Sequence, residues 1–233
     1  MKIKPFNSLF AIALAVVAVL GMASCNEKKF HVNGTIGNAA DSTLYFENMS
    51  LNGPVVVDSV KLSADGTFAF DDKAPTAPEF YRLRIAGQII NIAIDSTETV
   101  SVKAEYPGMA SQYEVSGSEE CSRIKELTLM QMSLQTQLNA IANNPQLGAD
   151  AVNDSVARVV EAYKTRVKTD YIFKEPMKAS SYFALFQTLN AGGQSVLIFN
   201  PRSSEQDVKV FAAVATSWDT FYPNEERGEN LHN

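Results

Sequence analysis

Cysteine and histidine side chains are scarce in this chain, and their positions exclude most metal and redox chemistry. The 233 residues contain two cysteines, Cys25 and Cys121, and two histidines, His31 and His232. No C-x-x-C pair is present for a thioredoxin-type redox centre, and no cysteine–histidine cluster has the spacing of a zinc site. A histidine-based triad would need one of two near-terminal histidines, and no phosphate-binding glycine loop occurs. We therefore expect no catalytic site, no metal site and no cofactor.

The first 24 residues have the composition of a secretory signal peptide. Two lysines form its positive end, and Leu9 to Leu20 form an apolar core that is too short for a stable membrane span. The segment Gly21-Met-Ala-Ser-Cys25 resembles a bacterial lipobox, with Met22 where leucine is usual. This resemblance implies cleavage before Cys25 and lipidation of that cysteine, which would anchor the protein to a membrane. The alternative is a plain secretory signal that leaves Cys25 unmodified in the mature chain.

Charge and the residues after Cys25 bear on location and partners. Surface-exported lipoproteins of the Bacteroidetes type usually carry an acidic run after the lipidated cysteine, whereas Asn26-Glu-Lys-Lys29 is mixed in charge. We therefore expect a lipid-anchored protein of the cell envelope that faces the periplasm rather than the cell surface. The net charge of −6 argues against a nucleic-acid partner, which would require a basic face.

Cys121 would be the free thiol of the mature chain if Cys25 is lipidated. Ser118-Glu-Glu offers an N-cap followed by an acidic first turn, so Cys121 is predicted in the first turn of a helix. A helix N-terminus lowers the pKa of a thiol, which would favour thiol–disulfide exchange with a partner. The alternative is an inert, half-buried thiol.

Four short motifs could carry a covalent modification. Tripeptides in which aspartate precedes serine and then a small or apolar residue resemble the O-glycosylation signal of Bacteroidetes extracytoplasmic proteins. The serines of these tripeptides are Ser42, Ser59, Ser96 and Ser155. The sequence predicts possible glycosylation at these positions, although three-residue patterns also arise by chance.

The residues before Gly117 predict a β-sandwich. Eight short segments alternate between apolar and polar residues, as in half-buried strands. They are Phe30–Ile36, Ser42–Glu47, Val55–Val60, Thr67–Phe70, Phe80–Ile85, Ile89–Ile94, Thr99–Ala104 and Tyr113–Ser116. The segment Asp58 to Phe70, with Asp65-Gly66 at its centre, is predicted as a β-hairpin. We assign residues 25–117 to an antiparallel β-sandwich domain.

Charged residues within this domain suggest two further sites. Arg82, Arg84 and Lys103 could form a cationic patch for an anionic ligand, or they could lie on the solvated face of a sheet. Asp71 and Asp72 could bind calcium, but two carboxylates in a loop without an EF-hand pattern are weak evidence.

The residues from 118 to 223 predict helices. One apolar stripe runs from Leu127 to Ile141 and a second from Val152 to Val167, so the two helices are predicted to form an antiparallel hairpin. A short helix is expected from Ala179 to Leu189, with Gly192-Gly193 closing it. A last helix is expected to begin near Ser203-Ser204. Residues 224–233 read as a flexible tail. The fold class is therefore α+β, with the sandwich followed by a helical domain.

Aromatic residues recur in the last of these helices. Phe211, Trp218 and Tyr222 fall at helical spacing. They could line a ligand groove, but aromatic residues at such spacing more often pack in a core.

The ordered set of motifs resembles the N-terminal domain of unknown function and helical linker of Bacteroidetes thioredoxin-like (TlpA-like) lipoproteins. The set comprises the lipobox, Phe30-x-Val-x-Gly34, Asp58-Ser59, Asp65-Gly66-x-Phe68-x-Phe70, Gly117-Ser118, Pro176-x-x-x-Ser180, Asn200-Pro201 and Phe221-Tyr-Pro223. In that family a thioredoxin domain normally follows, and no position of this sequence matches its active site. The resemblance thus implies either a relative that kept the accessory half or a reading frame that was cut short.

Three functions follow as expectations. The first is a non-catalytic, lipid-anchored accessory module that holds an envelope protein or a thioredoxin-like partner. The second is a part in a thiol–disulfide oxidoreductase system whose redox domain is missing or supplied by a partner. The third is the binding of a small molecule or a glycan by the sandwich edge or the helical aromatics.

Overall fold

The computed structural model describes residues 27–232. The predicted signal peptide, residues 1–24, and the predicted lipidation site, Cys25, lie outside the described residues. No helix within the described part of the chain is long and apolar enough to cross a membrane.

Eight strands form the predicted β-sandwich from two four-stranded sheets. The strands are β1 (Lys29–Gly37), β2 (Thr43–Ser50), β3 (Gly53–Lys61), β4 (Thr67–Lys73), β5 (Glu79–Ile85), β6 (Gln88–Ile94), β7 (Thr99–Glu105) and β8 (Tyr113–Ser116). One sheet has the order β4-β1-β7-β8 and the other β3-β2-β5-β6. All neighbouring strands in these sheets are antiparallel except β1 and β7, which run parallel. The predicted sandwich is confirmed, with this one departure from antiparallel pairing.

Alternation along each strand supplies the core between the two sheets. On β1 the side chains of Phe30 and Val32 are fully buried, and on β2 those of Leu44 and Phe46. Phe46 of β2 stacks on Phe70 of β4, in the facing sheet, with ring centroids 5.3 Å apart. This contact crosses the core within the usual spacing of interacting aromatic pairs and helps to fix how the two sheets face each other.

The predicted hairpin from Asp58 to Phe70 is wrong. Its two strands belong to different sheets, because β3 pairs with β2 and β4 pairs with β1. The chain does turn at Asp65, whose carboxylate accepts hydrogen bonds from the Ser63 and Thr67 hydroxyls and from the Thr67 amide. The turn predicted at Asp65-Gly66 is confirmed, but it connects strands of the two facing sheets.

Five α-helices and a third, two-stranded sheet follow the sandwich. The helices are α1 (Glu119–Ala142), α2 (Ala149–Val167), α3 (Ala179–Leu185), α4 (Glu205–Phe221) and α5 (Glu226–Asn230), with a π-helical turn at Lys168–Ile172 after α2. Strands β9 (Thr188–Ala191) and β10 (Gln194–Leu197) form an antiparallel hairpin between α3 and α4. The predicted order of sandwich and then helices is confirmed.

The long helices α1 and α2 are antiparallel, as predicted. Near the start of α1, Glu126 accepts a hydrogen bond of 2.7 Å from the Tyr171 hydroxyl, which lies just after the end of α2. Ser118 is the N-cap of α1, and its side chain accepts a hydrogen bond from the Cys121 amide at 3.1 Å. The N-cap read from the sequence is therefore confirmed.

The prediction that a helix runs from Ala179 to Leu189 and ends at Gly192-Gly193 is wrong. Helix α3 ends at Leu185, and the two glycines form the turn between β9 and β10 with φ of +61° and +85°. Two successive residues with positive φ are typical of a two-residue hairpin turn. A glycine pair is compatible with both a helix end and a hairpin, so the local sequence did not separate them.

The residues after Pro223 pack on the sandwich. Helix α5 lies in this segment, and Arg227 from α5 donates hydrogen bonds to Glu79 at the start of β5. The guanidinium also reaches the carbonyl oxygen of Met49 on β2. Residues 224–232, expected as part of a flexible tail, thus connect the end of the helical region to the first half of the chain.

The helices cover one outer end of the β3-β2-β5-β6 sheet. Phe80 of β5 and Ala93 of β6 point away from the sandwich core and are buried among the helical side chains. In the opposite direction, Cys121 of α1 belongs to the sandwich core. The two halves therefore share buried residues along their interface.

Candidate ligand-binding cavity

A cavity of about 370 Å³ lies where the sandwich meets the helices. Its sandwich wall comes from β2, β5 and β6, and its helical wall from α3 and α5. Six of the residues that line it are Phe80, Asn91, Tyr182, Phe186, Arg227 and Asn230. Cavities of this kind, mostly apolar with a few converging polar groups, are the usual place for a small ligand.

Aromatic rings form one side of this cavity. Phe80 and Tyr182 stack with their centroids 5.3 Å apart, and Tyr182 contacts Phe186 at 5.0 Å. Phe80 and Tyr182 are buried, whereas Phe186 is 39% exposed. The phenyl ring of Phe186 is therefore an apolar surface that remains partly open at the cavity.

Arg227 provides the one charged side chain among the residues that line the cavity. Its guanidinium lies over the rings of Phe80 and Tyr182, at 5.0 and 5.8 Å from their centroids. Its Nε donates a 3.0 Å hydrogen bond to Glu79, and its Nη2 contacts the same carboxylate oxygen. Because Glu79 balances the charge of Arg227, the cavity is close to electrically neutral.

The hydroxyl of Tyr182 lies at the same polar end of the cavity. It is close to Arg227 and Asn230, while burial raises the pKa of the phenol above its ordinary value. The hydroxyl is thus protonated at neutral pH and can both donate and accept a hydrogen bond. Gln187 is already engaged, since its amide accepts from the Tyr163 hydroxyl at 2.6 Å and donates to the Leu127 carbonyl at 2.9 Å.

Cys121 does not have the environment of a reactive thiol. Its side chain is 1% exposed, and the sulfur lies 3.2 Å from the carbonyl oxygen of Ala93, to which it can donate a hydrogen bond. Burial raises the pKa of Cys121 to about 11. The expectation of a lowered pKa at the helix start is therefore wrong, because loss of hydration outweighs the favourable cap. The residue carries a free thiol, as expected.

The predicted cationic patch does not form. Arg82 and Arg84 lie on the outer face of β5 and both pair with Glu47 of β2, whereas Lys103 lies on β7 in the other sheet. Glu47 is 3% exposed, and hydrogen bonds from Arg84 and Arg82 lower the pKa of its carboxyl. The two arginines are thus engaged in a largely buried ion-pair cluster.

Asp71 and Asp72 lie on β4 and do not converge on a cation site. Asp71 forms an ion pair of 2.6 Å with Lys29, and the Asp72 carboxylate accepts a hydrogen bond from the Lys73 amide. Within residues 27–232, no group of three or more histidine, cysteine or carboxylate side chains is placed to hold a metal ion.

The four serines of the glycosylation motifs are separate from the cavity. Ser59 on β3 and Ser96 in the β6–β7 turn are exposed, while Ser42 before β2 and Ser155 on α2 are partly buried. All four are on or near the surface, and Ser59 and Ser96 offer the most open positions for a modifying enzyme.

The aromatic residues of α4 that were expected either in the core or in a groove pack in the core and do not line the cavity. Trp218 is fully buried and packs on Tyr182 at 4.7 Å, and Phe211 is buried at the edge of Phe186. They support the rings of the cavity from behind. The expected core role is confirmed for these two residues, while the cavity itself is lined by aromatics of β5 and α3.

Several cavity residues were missed by sequence reasoning. Arg227 lies in a polar segment that gave no fold signal. A signal did exist for Phe80, since Phe80 and Tyr81 are adjacent apolar residues that point to opposite faces of a strand. Such a pair indicates that both faces of the sheet are covered at that end.

Comparison with known protein families finds a match that covers the sandwich. Residues 30–121 match the family described as "Domain of unknown function (DUF4369)". Among curated proteins, none matches this chain. The match runs from β1 to the first turn of α1, so it includes the buried Cys121 together with the sandwich whose core that residue joins. A DUF4369 domain therefore spans residues 30–121 of this protein.

Proposed function

We propose that this protein is a non-catalytic, lipid-anchored accessory module of the cell envelope, facing the periplasm. In this proposal Cys25 carries the lipid, and the joined sandwich and helices hold an envelope protein or a thioredoxin-like partner at a set distance from the membrane. The observation that supports this proposal is the interface at which the sandwich and the helices share buried residues. Arg227 and Glu79, 148 positions apart in sequence, are joined by hydrogen bonds across it.

The start of β1 bears on how far the module could stand from the membrane. Lys29 is the fourth residue after Cys25. Four extended residues span at most about 14 Å. A lipid on Cys25 would therefore keep the beginning of β1, with the neighbouring end of β4, close to the bilayer. A partner would then contact the helices or the far end of the sandwich.

A role in thiol–disulfide exchange is the second candidate function of this module. The burial of Cys121 limits which thiols could take part. A thiol must be accessible and ionised to attack a disulfide. Cys121 is 1% exposed and its pKa is raised to about 11. Cys121 is therefore not the thiol that would exchange, and in this reading the module is the scaffold for a redox domain that carries the reactive thiols.

The anchor is tested in cells by exchanging the cysteine that would carry the lipid. Wild type and Cys25→Ser are labelled with an alkyne fatty acid and separated into membrane and soluble fractions. We expect label and membrane association in the wild type and neither in Cys25→Ser, while Cys121→Ser keeps both. Label retained by Cys25→Ser, or a wild type found in the soluble fraction, would contradict the anchoring proposal.

Orientation is tested on the same cells. Externally added protease should leave the protein intact in whole cells and degrade it after the outer barrier is opened. Cleavage in intact cells would indicate a surface-exposed protein instead.

Binding of a small molecule or glycan is the third candidate function, and the aromatic cavity specifically favours it. A ligand that binds only the folded protein raises its melting temperature, and the rise grows with the logarithm of ligand concentration above the Kd. Screening the purified chain against glycans and small molecules by thermal shift tests this candidate. No shift with any class of compound would argue against it, and would leave the accessory role untouched.

A further inference from the structure

We propose that the cavity between the sandwich and the helices binds a small neutral molecule built on an aromatic ring that carries one hydrogen-bonding group, such as a phenol or a carboxamide. This inference rests on the binding function proposed above and names the chemical class of its ligand. It is argued from the walls of the cavity, from its charge and from the positions of its polar groups.

The apolar wall favours a flat ring. Phe80, Tyr182 and Phe186 form a continuous row with centroid spacings of 5.3 and 5.0 Å. A further ring placed against Phe186 would continue this row at the separations that aromatic pairs prefer. Phe186 is 39% exposed, so a ligand there would remove apolar surface from water that the fold itself leaves open.

The electrostatics favour a neutral ligand. Arg227 is the one charged residue that lines the cavity, and Glu79 already balances it through hydrogen bonds from Nε and Nη2. An anionic ligand would compete with Glu79 for the guanidinium, and a cationic ligand would face the positive side chain. Both would lose hydration without gaining an unpaired partner of opposite charge.

The polar groups converge at one end and so specify one hydrogen-bonding substituent. The Tyr182 hydroxyl lies close to Arg227 and Asn230 at that end. A phenol or carboxamide can both donate and accept, which matches the mixed donors and acceptors of a tyrosine hydroxyl and an asparagine amide.

The cavity volume fits a compact compound. About 370 Å³ is available, which is near the lower end of the roughly 300–1,000 Å³ typical of small-molecule sites. A single substituted ring is therefore a better match than a large polycyclic molecule.

The test compares probes that differ in one property. The purified chain is titrated with benzamide, toluene and cyclohexanecarboxamide, and binding is followed by ligand-observed NMR. We expect saturable binding that is strongest for benzamide, with the cyclohexane compound at least fivefold weaker than benzamide because it lacks a ring face for Phe186. Trp218, the single tryptophan, packs 4.7 Å from Tyr182. Its emission should therefore change on binding.

Two substitutions locate the site. Phe186→Ala should weaken binding of benzamide about tenfold, which corresponds to the loss of one good aromatic contact. Phe173→Ala is the matched control, since Phe173 is 53% exposed and does not line the cavity. Asn230→Ala should abolish the advantage of benzamide over toluene and leave the affinity for toluene itself nearly unchanged.

Each outcome either supports or overturns the proposal. Equal affinity for the aromatic and cyclohexane probes would overturn the aromatic class while leaving a binding function in place. Binding that Phe186→Ala and Phe173→Ala affect equally would overturn the site. A tyrosine side chain of a protein partner presents the same ring, so N-acetyltyrosinamide is added as a further probe. Binding of that probe alone would replace the small molecule with a peptide.

Discussion

Buried or crowded carboxyl groups show how single residues set the pH response of this protein. The two clearest cases, Glu47 and Asp95, have pKa values shifted in opposite directions. Glu47 faces two guanidinium groups, whereas Asp95 in the β6–β7 turn lies near the carboxylates of Glu98 and Glu120. The same side-chain chemistry therefore stabilises the fold in one place and opposes it in the other.

Asp95→Asn tests the unfavourable carboxylate. Partial burial and the negative charges of Glu98 and Glu120 raise the pKa of Asp95 to about 6, above its ordinary 3.8. A raised folded-state pKa means that wild type loses stability as pH rises from about 4 through 6. We expect Asp95→Asn to gain stability over wild type across that window and to keep a constant advantage above it. Because part of the Asp95 side chain still reaches solvent, screening limits the gain to under about 1 kcal/mol. Urea unfolding at several pH values would measure it, and parallel pH profiles would contradict the prediction.

Glu47→Ala tests the favourable carboxylate. Removing this side chain leaves Arg82 and Arg84 partly buried without their shared anion, so we expect a loss of about 3 kcal/mol in the free energy of unfolding. Lys29→Ala is a control at an exposed ion pair and should leave the free energy of unfolding nearly unchanged.

The pH dependence of unfolding provides a second test of the cluster formed by Glu47, Arg82 and Arg84. The lowered pKa of Glu47 means that its contribution is present at neutral pH and is lost only as pH falls through the depressed folded-state value. Equal losses in Glu47→Ala and Lys29→Ala at neutral pH would show that burial adds nothing to the cluster.

At the scale of elements, the central strand β1 depends on one close approach. Gly34 has φ of +151°, and a β-carbon there would lie 1.7 Å from the carbonyl oxygen of Val102 on β7. Only glycine allows the two backbones to meet in this way. The parallel pairing of β1 with β7 therefore rests on a position that tolerates no side chain.

Gly34→Ala should separate these strands. We expect a loss of at least about 3 kcal/mol or failure to fold, because β1 pairs with β4 and β7 at once. Circular dichroism and soluble yield would measure this effect. Gly87→Ala is the matched control, since a β-carbon at Gly87 would meet no atom within 4 Å. A stable, well-folded Gly34→Ala protein would show that the strand pairing differs from the one described.

At the scale of the whole molecule, the interface predicts a single unfolding unit. Phe80 and Ala93 of the sheet lie in the helical core, and Cys121 of the helix lies in the sandwich core. Separating the halves would expose these residues to water. We therefore expect the sandwich and helices to unfold together rather than as independent domains.

This cooperativity can be measured with two probes. Trp218 emission reports on the helices, and amide NMR signals of β1 and β7 report on the sandwich. Their thermal midpoints should coincide in wild type and should fall together in Arg227→Ala, which removes the contacts to Glu79 and Met49. Two separate midpoints in wild type would indicate independent domains.

The sequence by itself determined the eight strands of the sandwich and the two long helices, but not the β9–β10 hairpin or helix α5. Alternating apolar residues located all eight strands of the sandwich, and Ser118 with the following glutamates located the start of α1. These signals are local, because period-2 and period-3.6 patterns depend only on neighbouring residues. They were sufficient for the fold class.

Only the tertiary structure decided which elements meet. Residue alternation gives the buried face of a strand but not its neighbour, so Asp65-Gly66 was assigned to a hairpin although its strands lie in separate sheets. The thiol of Cys121 was judged from its helix cap, whereas burial against Ala93 sets its pKa. The cavity combines Phe80, Tyr182 and Arg227 from distant segments, and their association comes from long-range packing that no local pattern encodes.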